Sequence, residues 1–195
     1  MSVPPAPPLL LASRSPQRRA ILEQLGVPFE VVVPQYEEGL GGEPVETVQE
    51  RARGKARSVA YLAGERPVLG VDTEVVLDGR AFGKPHEAGE AEAMLEALGG
   101  RAHEVVSGLC LVTPGWEVVE HDVTRVAFRP LDARDLAAYV GTGEWHGRAG
   151  AYAIQGRGAA LVERIEGDYL NVVGLPGALL VRLLAECFPG VYGFG

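Results

Sequence analysis

The chain has 195 residues, of which 47% are hydrophobic and 23% are charged, and its net charge is −8. These values are typical of a globular protein and exclude a wholly disordered chain. The negative charge argues against a basic nucleic-acid-binding face, and no apolar run reaches the ~20 residues that a membrane-spanning helix needs. We therefore expect neither a nucleic-acid polymer nor a membrane as a partner.

The N-terminal segment MSVPPAPPLLLAS contains prolines and lacks a basic start, so we expect no secretory signal. Residues 1–8 are predicted to form a flexible Pro-rich lead-in. Residues 9–195 are predicted to form a single domain of two closely packed lobes.

Strand and helix signals then alternate along the chain. A strand is predicted over 9–12, and a helix follows it, because Ser15 is a good N-cap and Pro16 a good first helical residue. The other predicted strands cover 29–33, 68–77, 103–112, 118–128 and 159–165. The other predicted helices cover 43–64, 87–98, 132–139 and 177–187. This alternation predicts the α/β class with a mixed sheet.

The two cysteines, Cys110 and Cys187, lie in the apolar stretches GLCLV and LLAECF. This setting favours buried free thiols over a disulfide. Free thiols and the absence of a signal together predict a cytoplasmic protein.

The segment LASRSPQRR joins a predicted strand to the N-terminus of a helix. Free backbone N–H groups and the positive end of the helix dipole can bind an anion there. Ser13, Arg14 and Arg18 add hydroxyl and guanidinium groups beside that point. The segment indicates either a phosphate-binding turn or ordinary capping beside a solvated basic helix face.

Asp72 interrupts the apolar run VLGVDTEVVL. A carboxylate in such a run has a free-energy cost unless it finds a partner. Asp72 is therefore either a solvent-facing residue on a half-exposed strand, or a metal ligand or general base at a strand end. The hairpin turn that follows can bring Lys84 back beside the strand, where its ammonium group could bind a polyphosphate.

Three further polar residues are candidates for the same site. Gln155 lies in the small apolar segment AYAIQGRG, where its amide could read a pyrimidine edge or be satisfied by backbone groups. Glu38, after the second predicted strand, and Lys55, in RARGKARSVA, are each also consistent with a solvated surface. If folding brings Glu38 and Asp72 together, their carboxylates could bind Mg²⁺ or Mn²⁺.

Several segments, taken in order, resemble the Maf family of nucleoside triphosphate pyrophosphatases. They are LASRSPQRRAILEQLG, YEEG, RARGKARSVA, VLGVDTEVVLDGRAFGKP, AEAMLEALGGRAHEVVSGLCLV, RAGAYAIQGRG and IEGDYLNVVGLP. The resemblance implies hydrolysis of a nucleoside triphosphate to the monophosphate and pyrophosphate with a divalent cation. It also implies an elongated α/β catalytic domain with a deep central cleft, similar to inosine triphosphate pyrophosphatases, and it favours a homodimer.

Carried over by position, the resemblance implies that Asp72 is the proton acceptor and that Thr73 and Gln155 take part in base choice. The other residues that it places in the cleft are Ser13, Arg18, Glu38, Lys55 and Lys84. The forms AGAYAIQGRGA and IEGDYLNVVGLP resemble the branch of the family that acts on dTTP and UTP.

Two positions depart from the family pattern. Gln17 stands where the family usually has the first arginine of SPRR, a proposed specificity position. Gly147 replaces an acidic residue, although Arg148 keeps the positive charge that follows it. Two rival hypotheses remain: a nucleotide-binding regulator of cell division without turnover, and a phosphatase that releases orthophosphate.

Overall fold

Seven strands form one mixed sheet in the computed structural model, which describes residues 6–37, 39 and 41–194. The strands are β1 (Leu9–Ala12), β2 (Phe29–Val32), β3 (Val68–Leu77), β4 (Arg80–Phe82), β5 (Ala102–Val112), β6 (Glu117–Phe128) and β7 (Val162–Glu166). Their order is β2-β1-β3-β5-β6-β7, with β4 paired to β3. β1 pairs in parallel with β2 and β3, and the other pairs are antiparallel. The predicted α/β class with a mixed sheet is confirmed.

The helices of the described residues are α1 (Pro16–Gln24), α2 (Pro44–Arg57), α3 (Ala88–Leu98), α4 (Ala133–Val140), α5 (Tyr169–Val173) and α6 (Gly177–Cys187). Short 3₁₀ turns occur at Ala60–Leu62, Ala149–Ala151 and Arg157–Leu161. No helix in this part of the chain is long and apolar enough to cross a membrane. Of the predicted Pro-rich lead-in, residues 1–5 lie outside the described residues.

Local sequence signals placed most elements correctly, and the exceptions have physical reasons. The helix predicted over 43–64 is too long, because Val59 leaves helical geometry (φ −121°, ψ 0°) and buries its side chain in the core. The strand predicted over 159–165 begins only at Val162, because a 3₁₀ turn occupies Arg157–Leu161. α5 was missed, since five residues are too few to display a helical period.

Helix α2 lies directly on the sheet, over two glycines of neighbouring strands. A Cβ atom at Gly70 of β3 would lie 2.1 Å from the carbonyl oxygen of Ala52, and one at Gly108 of β5 would lie 2.2 Å from that of Val48. Only a residue without a side chain permits such an approach of two backbones. The two glycines therefore fix the distance between α2 and β3.

Both cysteines are free thiols, but they differ in burial. Cys110 is fully buried beside α2, and burial raises the pKa of its thiol to about 12, which makes it unreactive. Cys187 is only half-buried, because it ends α6 close to the surface. The predicted burial is thus confirmed for Cys110 and wrong for Cys187.

His103 is a buried titratable residue in the largest core region. It is 2% exposed, its Nε2 lies 2.9 Å from the hydroxyl of Tyr152, and the rings of Phe128 and Tyr152 meet it edge-on. Burial lowers the pKa of His103 from 6.5 to about 4. The imidazole is therefore a neutral core residue at neutral pH.

Acid is expected to destabilise the fold through His103. Its folded-state pKa of about 4 lies below the ordinary 6.5, so the unfolded chain binds more protons between these values. Stability therefore falls as the pH drops from about 6.5 to about 4, with a limiting loss of about 3 kcal/mol. Urea unfolding across this range should show the free-energy advantage of the wild type over His103→Gln shrinking toward pH 4. A difference that stays constant with pH would contradict this assignment.

Candidate active site

A cleft of about 960 Å³ opens beyond the end of β1. The turn into α1, the inner face of α2, the centre of β3, the loop after β4 and the segment 147–155 contribute to its walls. The predicted site residues that line it are Ser13, Gln17, Arg18, Lys55, Asp72, Thr73, Lys84 and Gln155. Glu38, the remaining predicted residue, lies outside the described residues. The structure therefore brings residues from distant parts of the chain into one cleft.

Asp72 lies at the centre of the cleft wall, in the middle of β3. It is 7% exposed, so the alternative of a solvent-facing carboxylate is wrong. Its Oδ1 accepts a hydrogen bond from Nζ of Lys55 at 2.5 Å, and its Oδ2 lies 3.6 Å from Nη1 of Arg51. The two basic side chains offset the cost of burying the carboxylate. Oδ2 is itself buried and has no hydrogen-bond donor among the described residues.

Arg51 and Glu74 belong to the same cluster, and neither was among the site residues predicted from the sequence. Nη1 of Arg51 donates to Oε1 of Glu74 at 2.6 Å, and both side chains are largely buried. A signal was present, because Arg51 precedes Lys55 by four residues on a helix and Glu74 follows Asp72 by two on a strand. These spacings place each pair on one face of its element. This ion pair holds the Arg51 guanidinium close to Asp72, as a second cation in addition to Lys55.

Arg18 connects three parts of the cleft wall. Its Nε donates to the Gly174 carbonyl at 2.9 Å, its Nη1 to Oγ of Ser13 at 3.3 Å and its Nη2 to Oγ1 of Thr73 at 3.4 Å. Oγ1 of Thr73 also lies 2.9 Å from Oγ of Ser107 on β5. Arg18, Ser13 and Thr73 are therefore held in one network at the start of α1.

The missed helix α5 positions the Gly174 carbonyl that Arg18 uses. Oδ1 of Asp168 caps α5 by accepting the Leu170 N–H at 2.8 Å. Nδ2 of the buried Asn171 donates to the Val105 carbonyl and to Oγ1 of Thr124, each at 3.0 Å. These contacts fix α5 on β5 and β6. The motif GDYLNVVG thereby holds the Gly174 carbonyl where Arg18 can donate to it.

Gln17 faces the cleft at the position where the family usually has arginine. Oγ of Ser15 donates to Oε1 of Gln17 at 3.0 Å, and Ser15 also caps α1 by accepting the Arg18 N–H at 3.4 Å. Of the two nearby arginines that could replace the missing charge, Arg14 lines the cleft and Arg19 does not. The charge at this point of the cleft is therefore carried by Arg14 and Arg18.

A second group of cleft residues comes from the loop after β4 and from the segment 147–155. Lys84 is exposed on the loop after β4, and Arg148 is half-buried at the start of the segment 147–155. The loops are joined because the N–H of Gly150 donates to the Gly83 carbonyl at 3.1 Å. Gln155, at the end of that segment, is exposed to the cleft. Lys84 and Arg148 thus bring positive charge to this wall.

The described residues do not by themselves form a metal site of three or more His, Cys, Asp or Glu side chains. One observation nevertheless fits a hard cation, namely the buried Oδ2 of Asp72, which lacks a hydrogen-bond donor among these residues. A carboxylate oxygen of this kind suits Mg²⁺ or Mn²⁺. Any complete metal site here needs a further ligand.

Known proteins resemble this chain over most of its length. A protein-family model described as Maf-like protein matches residues 8–187. A relative from Symbiobacterium thermophilum, named dTTP/UTP pyrophosphatase, is 47% identical over 180 residues, or 91% of this chain and 93% of the relative. Proteins of the same name from Nitratidesulfovibrio vulgaris and Deinococcus radiodurans are 49% and 42% identical, covering 92% and 97% of this chain and 87% and 97% of their own lengths.

Proposed function

The chain is a member of the Maf family, and we propose that it hydrolyses nucleoside triphosphates, in particular dTTP and UTP, to the monophosphate and pyrophosphate. The names of its relatives support the reaction and the substrates. The observation that carries the proposal is the buried carboxylate of Asp72 at the centre of a cleft lined with basic residues. Such a cleft can bind a polyphosphate and place a proton acceptor beside it.

We assign to Asp72 the role of accepting a proton from the water that attacks the α-phosphorus. Lys55 donates to Oδ1, while Oδ2 has no donor among the described residues, so we propose that Oδ2 activates the water, either directly or through the cation that it would bind. Arg18 and the N-terminus of α1 bind phosphate oxygens. They orient the triphosphate so that pyrophosphate leaves in line with the attacking water. No covalent intermediate is needed in this scheme.

A divalent cation is the cofactor that we propose, with Glu38 and Asp72 as its protein ligands. When bound, it would neutralise charge on the phosphates and polarise the reacting phosphoryl group. Base choice is assigned to Thr73, Gln155 and Gln17, which all line the cleft. Because Gln17 is neutral, we expect the base end of the site to depend on amide hydrogen bonds more than on charge.

The decisive experiment identifies the product. The purified protein is incubated with dTTP, UTP and the other common triphosphates in Mg²⁺ or Mn²⁺, and pyrophosphate and orthophosphate are measured separately. We expect pyrophosphate and the monophosphate, fastest with dTTP and UTP, and at least a tenfold loss of rate (on the order of 1 kcal/mol or more in barrier) when EDTA removes the cation. Tight nucleotide binding with no product would favour the regulator, and orthophosphate would favour the phosphatase.

A further inference from the structure

Arg148 differs in its contacts from Arg18 and Arg51, the two cleft arginines whose side chains bind protein acceptors. Arg18 donates to Ser13, Thr73 and Gly174, and Arg51 pairs with a carboxylate. By contrast, the guanidinium of Arg148 makes no hydrogen bond or ion pair with any residue that the structure describes, and its Nε is buried. The structure therefore presents a half-buried cation to the cleft without a protein acceptor.

The backbone holds Arg148 in this position rather than leaving it on a loose loop. The Arg148 N–H donates to the Trp145 carbonyl at 3.1 Å, and Gly147 before it has φ +69°. Two residues on, Gly150 has φ +66° and packs so closely on β3 that a Cβ there would lie 2.9 Å from the methyl groups of Val75. The segment is thus fixed against the same strand that carries Asp72.

A guanidinium with a buried nitrogen and no acceptor has a desolvation cost that a ligand can offset. The acidic side chains described in this cleft lie beside cations other than Arg148, since Asp72 binds Lys55 through Oδ1 and lies 3.6 Å from Arg51 through Oδ2, and Glu74 binds Arg51. The remaining one, Glu90, accepts the backbone N–H of His86. An anion from outside the protein is therefore the acceptor that suits Arg148.

We propose that Arg148, together with Lys84, binds phosphate oxygens of the substrate and of the pyrophosphate released from it. The Gly150–Gly83 hydrogen bond joins the two loops that carry these cations, so both face one region of the cleft. A polyphosphate that contacts both side chains would supply acceptors for both cations. This proposal rests on the proposed function, because the phosphate chain is that of its substrate.

Direct binding of inorganic pyrophosphate tests the proposal without turnover. Isothermal titration calorimetry in Mg²⁺ should give a Kd for Arg148→Gln at least ~10-fold above the wild type, since a charge-assisted hydrogen bond is lost. Arg148→Lys keeps the positive charge but lacks the forked donors of the guanidinium, so its Kd should lie between those of the wild type and Arg148→Gln. The matched control is Arg157→Gln, which removes the same charge from an exposed position outside the cleft lining and should bind as the wild type does.

Steady-state kinetics gives the second readout. The KM for dTTP and UTP should rise in Arg148→Gln by a factor similar to the change in the Kd for pyrophosphate. A Kd within twofold of the wild type, with or without a lower melting temperature, would overturn the proposal and leave Arg148 a structural residue. If the wild type binds pyrophosphate through Arg148 but releases none from any triphosphate, the proposed function fails and the binding site stands.

Discussion

Asp72→Asn is expected to fold like the wild type and to lose turnover by a factor of about 10² to 10⁴, the usual contribution of a general base. The asparagine carbonyl can still accept the hydrogen bond from Lys55, so the position of the side chain is kept while the proton acceptor is lost. The loss should appear in kcat with dTTP and UTP. Thermal unfolding, measured alongside, should show a change in melting temperature of no more than about 8 °C.

Asp78→Asn is the matched control for this substitution. Asp78 lies on the turn between β3 and β4, is exposed, and pairs with Arg101 rather than with any cleft residue. Its φ of +52° is a conformation that asparagine also tolerates, so the backbone should not change. The kcat of Asp78→Asn with dTTP and UTP should match that of the wild type. If Asp72→Asn keeps near-native turnover while the control is unaffected, Asp72 is not the proton acceptor.

The strand, turn and helix at the start of the chain could be predicted because local chemistry decides them. Ser15 and Pro16 define the start of α1 by capping and by a fixed φ, and the apolar run before them forms β1. The parallel pairing of Ala12 with Gly70 then places Ser13, just beyond the end of β1, on the same cleft wall as Asp72 in the middle of β3. The sequence predicted the two segments, whereas the pairing that brings them together is a tertiary property.

The rest of the site depends on contacts that no local pattern specifies. Arg51 and Glu74 were not among the predicted site residues, and only the packing of α2 on β3 makes them partners. Arg148 was noted for its charge, but its lack of an acceptor among the described residues is visible only in three dimensions. The resemblance to a family implied that Asp72 is the proton acceptor and that Lys55 lies in the cleft, while the ion pair between them comes from the structure.

Gly108→Ala is expected to damage both stability and turnover, because Gly108 pairs with Asp72 in the β3–β5 register under α2. The added methyl group would lie 2.2 Å from the Val48 carbonyl oxygen and 2.6 Å from the Gln49 nitrogen. Neither atom belongs to a flexible side chain, so α2 must move by about 1 Å to restore normal contact distances. Such overpacking typically costs about 1–3 kcal/mol of unfolding free energy and sometimes more.

The same displacement would act on the chemistry, since α2 carries Lys55, which binds Asp72. A misplacement of about 1 Å can lower turnover by about 100-fold, so folded Gly108→Ala protein should remain far less active than the wild type. Gly115→Ala is the control, because no atom lies within 4 Å of a Cβ there and its φ is not positive. Urea unfolding and kcat with dTTP should leave that control unchanged. Wild-type stability in Gly108→Ala would mean that α2 can shift without cost, and the two glycines would then not set the Lys55–Asp72 contact.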